Sequence, residues 1–392
     1  MTNPQKRLSA RHGIVASYPS DFFGYFGWPT VARTGEGMLG VAASGLRNGH
    51  ICPFGRTVFC ASLDDGATWT PPAVINDFPI DDRDAGVCCP GGDRIVVSWF
   101  SSDTRISLPP GRMDVWKDRG IDDPQLRDIY TAGLMRITDR TAKRRAGNWI
   151  RTSPDRGESW GEPVRVSVTA PHGPIVLNDG RLFFFGKGHL GELGNTTQLD
   201  AGIGAIVSDD RGGNWTPLGT VPLLDGTDAT NYYEPHAVQL GEGRFLGLIR
   251  VQDGIEKGRL EKIGITNFSM AQTLSDDGGI TWSKTRMLNF HGSPPHIFRH
   301  STGILVCVYG YRLKPFGQRA MFSRDEGDTW EYDWIIRDDG PDIDLGYPSS
   351  VELPDGSIFT VYYQKLDSPD EKPGLLWSRW RLPRDQALYS SR

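Results

Sequence analysis

Cysteine is scarce and irregularly spaced in this chain, which removes several possibilities at once. The five thiols, at Cys52, Cys60, Cys88, Cys89 and Cys307, form no Cys-x-x-Cys pair, so neither a zinc site nor a disulfide framework is encoded and reduced thiols are expected. No apolar run approaches the roughly 20 residues needed to cross a bilayer. The segment Met1 to Ser9 lacks the apolar core of a secretory leader, so a cytoplasmic chain without a membrane partner is expected. Positive charge is not in excess either: 43 Lys and Arg against 48 Asp and Glu leave a net charge of −5. That supplies no global field for nucleic acid.

Turn formers and large aromatics, in contrast, are plentiful, with 48 Gly, 27 Pro and 12 Trp in 392 residues. Their distribution is ordered. The octet Ser-x-Asp-x-Gly-x-x-Trp occurs five times, at Ser62 to Trp69, Ser153 to Trp160, Ser208 to Trp215, Ser275 to Trp282 and Ser323 to Trp330. Asp accepts backbone hydrogen bonds within a tight turn, Gly takes a positive φ at no steric cost, and Trp covers the loop. Each octet therefore reads as the outer hairpin of a small antiparallel sheet, a structural device that needs no ligand.

Between the octets lies a second repeat, a short run often containing Pro followed by an apolar strand. Its six copies centre on Trp28-Pro29-Thr30-Val31, Asp84 to Val87, Pro171-His172-Gly173-Pro174-Ile175, Glu234-Pro235-His236, Pro295-His296-Ile297 and Tyr347-Pro348-Ser349. Six inner strands imply a single all-β domain over 1–392, a six-bladed β-propeller of four-stranded antiparallel blades. One step between copies is long, which places a surface insertion at about 101–148, with a short helix over Asp123 to Tyr130 and a basic run from Arg140 to Arg145, expected to rim one face of the disc. The last blade lacks an octet, so its outer strand is expected from Gly13 to Tyr18, closing the ring.

In a propeller the starts of the inner strands converge on the mouth of the central channel. That gathers Asp84, His172, Glu234, His236, His296 and Tyr347, with Arg250, Arg312 and Arg319 on or after the second strands. Each has a plainer reading as well. The three Pro-His histidines suit hydrogen bonding between neighbouring blades, and Asp84 suits an ion pair with Arg83. No metal and no cofactor is expected. Phe22, Phe23, Tyr25, Phe26 and Trp28 are either a stacking platform for a sugar or packing between the first and last blades.

With these octets, the chain resembles the sialidase (neuraminidase) superfamily, whose propellers carry such Asp boxes. The resemblance runs from Gly27 to Gln364 and implies carbohydrate chemistry. It places Glu234 as the base of a Tyr nucleophile at Tyr347, Arg250 as the second carboxylate-binding arginine, and Arg319, with Arg312 as the alternative, as the third. Sialidases depart from the two-carboxylate scheme of other glycosidases because their nucleophile is Tyr.

Two positions depart from the family. Gly27 stands where its first arginine belongs, and Arg47 and Arg56 are the candidates to replace it. In the loop that should carry the acid/base Asp there is His50, with Asp84 as the other proton donor. The resemblance implies an exo-acting glycoside hydrolase that removes an acidic terminal sugar, sialic-acid-like or uronic, from an oligosaccharide or glycoconjugate. Two alternatives stay open: a lyase acting on a uronate by β-elimination through His, Tyr and Arg, and a glycan-binding propeller without turnover. The last implies that the Glu234 carboxylate and Tyr347 phenol lie too far apart to share a proton.

Overall fold

A computed structural model describes residues 6–188, 202–254 and 256–383. Six antiparallel sheets succeed one another along the chain, as six blades of a propeller. Blade 1 runs Tyr25–Arg33, Leu39–Arg47, Arg56–Ser62 and Ala73–Asn76 from the axis outward. Blade 2 begins with Asp81–Cys88, blade 4 with Tyr232–Gly241, blade 5 with Pro295–Arg299 and blade 6 with Gly346–Glu352. In blade 3 the inner strand is split into Val168–Thr169 and Ile175–Val176, both paired with Leu182–Gly188. The break falls at Pro171-His172-Gly173-Pro174, where proline removes ladder donors.

The octets close the outer hairpins as their chemistry requires. In all five, the Ser Oγ accepts the Gly N–H at 2.7–2.9 Å. The Asp Oδ1 accepts the N–H of the residue before Trp at 2.8–2.9 Å. Each Gly lies at positive φ, from 87° at Gly66 to 101° at Gly212. The turn is thus specified within eight residues, without help from the rest of the fold.

Closure comes from the N-terminal strand Ala10–Ala16, which pairs with Gly374–Trp380 as the outermost strand of blade 6. The strand starts three residues earlier than Gly13, because Ala10, Arg11 and His12 also enter the ladder. It covers the edge that would otherwise be left open to other chains.

Four helices lie between the second and third strands of blade 2: Thr104–Ser107, Met113–Asp118, Pro124–Met135 and Asp139–Arg145. Asp123 caps the third, accepting the Leu126 N–H at 2.9 Å with Pro124 in the first turn, as the cap preference of Asp and the N1 preference of Pro dictate. The basic run Arg140 to Arg145 lies within the fourth helix, with Lys143, Arg144 and Arg145 in its last turn, where the helix dipole favours cations. The insertion is packed rather than peripheral: Trp116, Tyr130 and Leu134 join a core cluster with Phe78, Trp99 and Trp149. Tyr130 also donates to the Ile51 carbonyl at 3.1 Å, so the insertion braces the loop that carries His50. Among the described residues no helix is long and apolar enough to cross a membrane.

Candidate functional site

The mouth is built by one repeated backbone device. Trp28, Asp84, Glu234 and Tyr347 all adopt the left-handed conformation, at φ 54°, 50°, 45° and 52°, and each sits where the inner strand's pairing register shifts. A left-handed residue other than Gly, Asn or Asp is uncommon and costs about 1–3 kcal/mol, a strain that concentrates at functional sites. The bulge breaks the strict alternation of a strand and re-aims these four side chains.

Two residues further along these strands stand Thr30, Gly86, His236 and Ser349, which with His172 and His296 from blades 3 and 5 make a second ring. It links the blades: the Ile297 N–H donates to His236 Nδ1 at 3.1 Å, Ser350 N–H to His296 Nδ1 at 3.3 Å, and Val31 N–H to Ser349 Oγ at 3.2 Å. Thr30 Oγ1 lies 2.9 Å from His172 Nδ1. At Gly86 any Cβ would stand 1.9 Å from the Gly173 carbonyl oxygen, so blades 2 and 3 meet only because that residue is glycine. His236 and His296 stack at 4.5 Å, and His172 meets His296 edge-on at 5.3 Å. Burial drives all three pKa values down, that of His236 to about 3, so they form a neutral floor beneath the mouth. Among the described residues no group of three His, Cys, Asp or Glu is arranged to hold a metal ion.

Above this floor, Tyr347 Oη donates to Glu234 Oε1 at 2.5 Å and accepts from Arg250 Nη1 at 3.0 Å, while Arg250 also ion-pairs with Glu234. All three side chains come from different strands of blades 4 and 6. Burial, and next the Glu234 charge, push the Tyr347 pKa well above 10, against the pull of Arg250. The phenol therefore holds its proton at neutral pH unless Glu234 takes it.

Asp84 is buried with its Oδ1 unpartnered. Desolvation raises its pKa to about 7, opposed by Arg83 and reinforced by Glu234. It makes no ion pair with Arg83, whose guanidinium turns to the His50 carbonyl at 3.1 Å and stacks over Trp28 at 4.5 Å.

His50 is half-exposed, its ring edge-on to Trp28 at 5.0 Å and its Nδ1 3.3 Å from Tyr25 Oη and 3.9 Å from Asp344 Oδ1. The enclosing walls lower its pKa, Asp344 raises it and Arg83 lowers it, for a net decrease.

The arginines divide differently from the sequence expectation. Arg319 stays within blade 5, bonded to Asp333 at 3.2 Å and to the carbonyls of Arg337 and Pro315, because it points toward the outer strand rather than the axis. Arg312 is the one that reaches Tyr347, lying 5.8 Å from its ring centroid and bonded to the carbonyls of Ser293 and Leu345. Neither substitute for the first arginine is placed to act as a clamp. Arg56 binds Asp77 and the Leu46 carbonyl at the blade edge. Arg47 is wholly buried in an ion pair with Asp81 at 2.9 Å and donates to the carbonyls of Gly49 and His50 at 2.9 and 2.8 Å. It is a positioning residue for the His50 loop. Removing one partner of a buried pair costs about 3–5 kcal/mol, so Arg47→Met should lower urea stability by that order, and a loss within error of zero would refute this role.

Several residues of the mouth carried no sequence signal. Asp344, Tyr363 and Lys187 are the main ones. Lys187 is buried and donates to the Tyr232 carbonyl at 2.7 Å. Desolvation, partly offset by Glu234, lowers its pKa to about 8. Of the two readings of the aromatic cluster, packing between the first and last blades is the one seen: Tyr25, Phe26 and Trp28 join a core cluster with Tyr347 and Tyr363 of blade 6, and Trp28 also meets His50.

Six blades, five Asp boxes and a Tyr-Glu-Arg constellation at the mouth define a sialidase-like β-propeller. The chain belongs to the BNR repeat-like domain family, whose model matches residues 148–372. It is similar to the anhydrosialidase of Macrobdella decora, 25% identical over 274 residues that cover 59% of this chain; those residues span only 30% of that protein. Among solved structures it resembles a protein of unknown function from Dyadobacter fermentans, with TM-score 0.69 and 20% identity over 95% of this chain and 99% of the other. An α-L-arabinanase of Penicillium chrysogenum, solved with arabinobiose, aligns with TM-score 0.60 and 13% identity over 94% and 98% of the two chains. These structural likenesses establish the shared fold.

Proposed function

We propose that this protein is an exo-acting, retaining glycoside hydrolase with Tyr347 as nucleophile, Glu234 as its base and Asp84 as the proton donor. The observation that carries the reading is the Tyr347–Glu234 hydrogen bond of 2.5 Å at the channel mouth. A pure binding module has no need of a phenol poised to lose its proton to a carboxylate. The similarity to a named sialidase and the fold shared with a named arabinanase support carbohydrate as substrate.

In the first step Glu234 takes the Tyr347 proton as the phenolic oxygen bonds to the anomeric carbon. The glycosidic C–O bond breaks and Asp84 protonates the departing oxygen. In the second, Asp84 takes a proton from water, whose oxygen attacks the anomeric carbon while the bond to Tyr347 breaks and Glu234 returns its proton. The Arg250 N–H on Tyr347 Oη stabilises the charge that develops there. Asp84 suits the donor role better than His50, because a carboxyl with pKa about 7 still carries its proton near neutrality whereas the lowered His50 does not.

The test is product analysis on a panel of sialylated, uronate-containing and neutral oligosaccharides, together with a 2-fluoro glycosyl label and peptide mapping. Release of a saturated sugar with the label on Tyr347 is expected. An unsaturated, ultraviolet-absorbing product would instead indicate β-elimination, and binding without any product would reduce the protein to a lectin-like role.

A further inference from the structure

The space beside Gly27 does not suit a substrate carboxylate. A Cβ at Gly27 would lie 3.3 Å from the Tyr25 ring and 3.9 Å from the Tyr363 ring, so two tyrosines fill the volume next to it. Both hydroxyls donate to one acceptor, Asp344 Oδ1, at 2.9 and 3.2 Å. Asp344 sits at the mouth with its side chain 26% exposed. Burial opposes its charge, but the facing His50 and the Tyr25 hydroxyl hold its pKa below the usual carboxylate range. The nearby Lys365 is occupied elsewhere, by Asp342 at 2.6 Å. Where an anion clamp would need a guanidinium, this chain presents an ionised carboxylate.

The arginines around the mouth do not compensate. Arg250 spends Nη1 on Glu234 and Tyr347, and its Nε, though without a hydrogen-bond partner, is buried out of reach of a ligand. Arg312 commits both terminal nitrogens to backbone carbonyls, and Arg83 is turned to the His50 loop. Bidentate capture of a carboxylate requires two parallel, uncommitted N–H groups. Arg47 is committed to Asp81 of the neighbouring blade 2, and Arg319 to Asp333 within blade 5.

Resting on the glycosidase reading above, we propose that the terminal sugar bears no carboxylate, and that Asp344 is a specificity-determining residue that accepts hydrogen bonds from two adjacent hydroxyls of a neutral sugar. Its Oδ1 is already oriented by Tyr25 and Tyr363, and His50 packs alongside. Tyr363 also lies 5.9 Å from the Tyr347 ring, so this subsite and the nucleophile share a wall. A carboxylated sugar would bring like charge against Asp344.

Two measurements test this. The first compares kcat/KM on methylumbelliferyl glycosides of neutral hexoses, deoxyhexoses and pentoses with those of N-acetylneuraminate and the hexuronates. The second titrates the same free sugars calorimetrically into Tyr347→Phe and into Tyr347→Phe/Asp344→Asn. A neutral sugar should be preferred, and Asp344→Asn should weaken its binding by at least about tenfold, the usual scale of a charge-assisted hydrogen bond, with the melting temperature retained. Preference for a carboxylated sugar, indifference to Asp344→Asn, or binding of neither class would overturn the proposal. Failure of the glycosidase reading would look different: a neutral sugar bound through Asp344 yet never hydrolysed.

Discussion

Replacing Tyr347 with Phe should lower kcat by at least about 10³-fold, the scale on which loss of a nucleophile acts. The substitution removes one oxygen and keeps the ring that packs against Trp28, His172 and Tyr363, so the fold should survive and substrate should still bind. Glu234→Gln should be comparably inactive but also less stable, because it leaves the buried Arg250 without its counter-charge. Single-turnover rates, calorimetric binding and melting curves on both variants separate the two effects. A Tyr347→Phe protein with wild-type kcat would end the nucleophile assignment, whatever the substrate.

Asp84→Asn should lower kcat by about 10²–10⁴-fold on substrates with poor leaving groups, the usual contribution of general acid catalysis, and far less on activated aryl glycosides that need no proton. Its pH signature is specific. The donor must be protonated, so wild-type kcat/KM should fall as pH rises through about 7, and that limb should vanish in the variant. Stability provides a second reading with a definite sign. Asp84 has a folded pKa raised above its ordinary 3.8, so it contributes stability at low pH that is lost as pH climbs toward and through about 7. Asp82, likewise buried and raised to about 7, contributes in the same direction, so the comparison must be between wild type and Asp84→Asn over the same range. The variant should lose less melting temperature between pH 5 and 8. If His50→Ala abolishes the limb and Asp84→Asn does not, the proton donor is His50.

The scaffold was legible because the octets are local: Ser, Asp and Gly complete their hydrogen bonds within the turn, so no distant partner has to be known. Glu234 and Tyr347 were legible for a related reason, each preceding a proline at the start of an inner strand. Their left-handed backbones were not. Nothing in the letters of Trp28 or Asp84 announces a positive φ, which is imposed by the bulge where the strand leaves regular pairing. Arg319 shows the other limit. Counting back from Tyr347 gives a distance along the chain, but only the strand's orientation decides that Arg319 faces Asp333 while Arg312 reaches the mouth. Asp344 escaped because its partners, Tyr25 and Tyr363, come from blades 1 and 6 and meet only once the ring has closed. Of the readings open for the Pro-His repeats, the plainer one, contacts between blades, is the one the hydrogen bonds describe.

The pairing of Ala10–Ala16 with Gly374–Trp380 carries a consequence for how this molecule comes into being. Tyr347 sits on the blade that this pairing completes, whereas Asp84 and Glu234 belong to blades finished far earlier in translation. A growing chain can hold Glu234 and Asp84 in folded blades, yet the blade of Tyr347 stays incomplete until Ala10–Ala16 returns to pair with Gly374–Trp380. The constellation on which the proposed activity rests is therefore complete only at ring closure, and opening the chain between other blades would move the seam at which that happens.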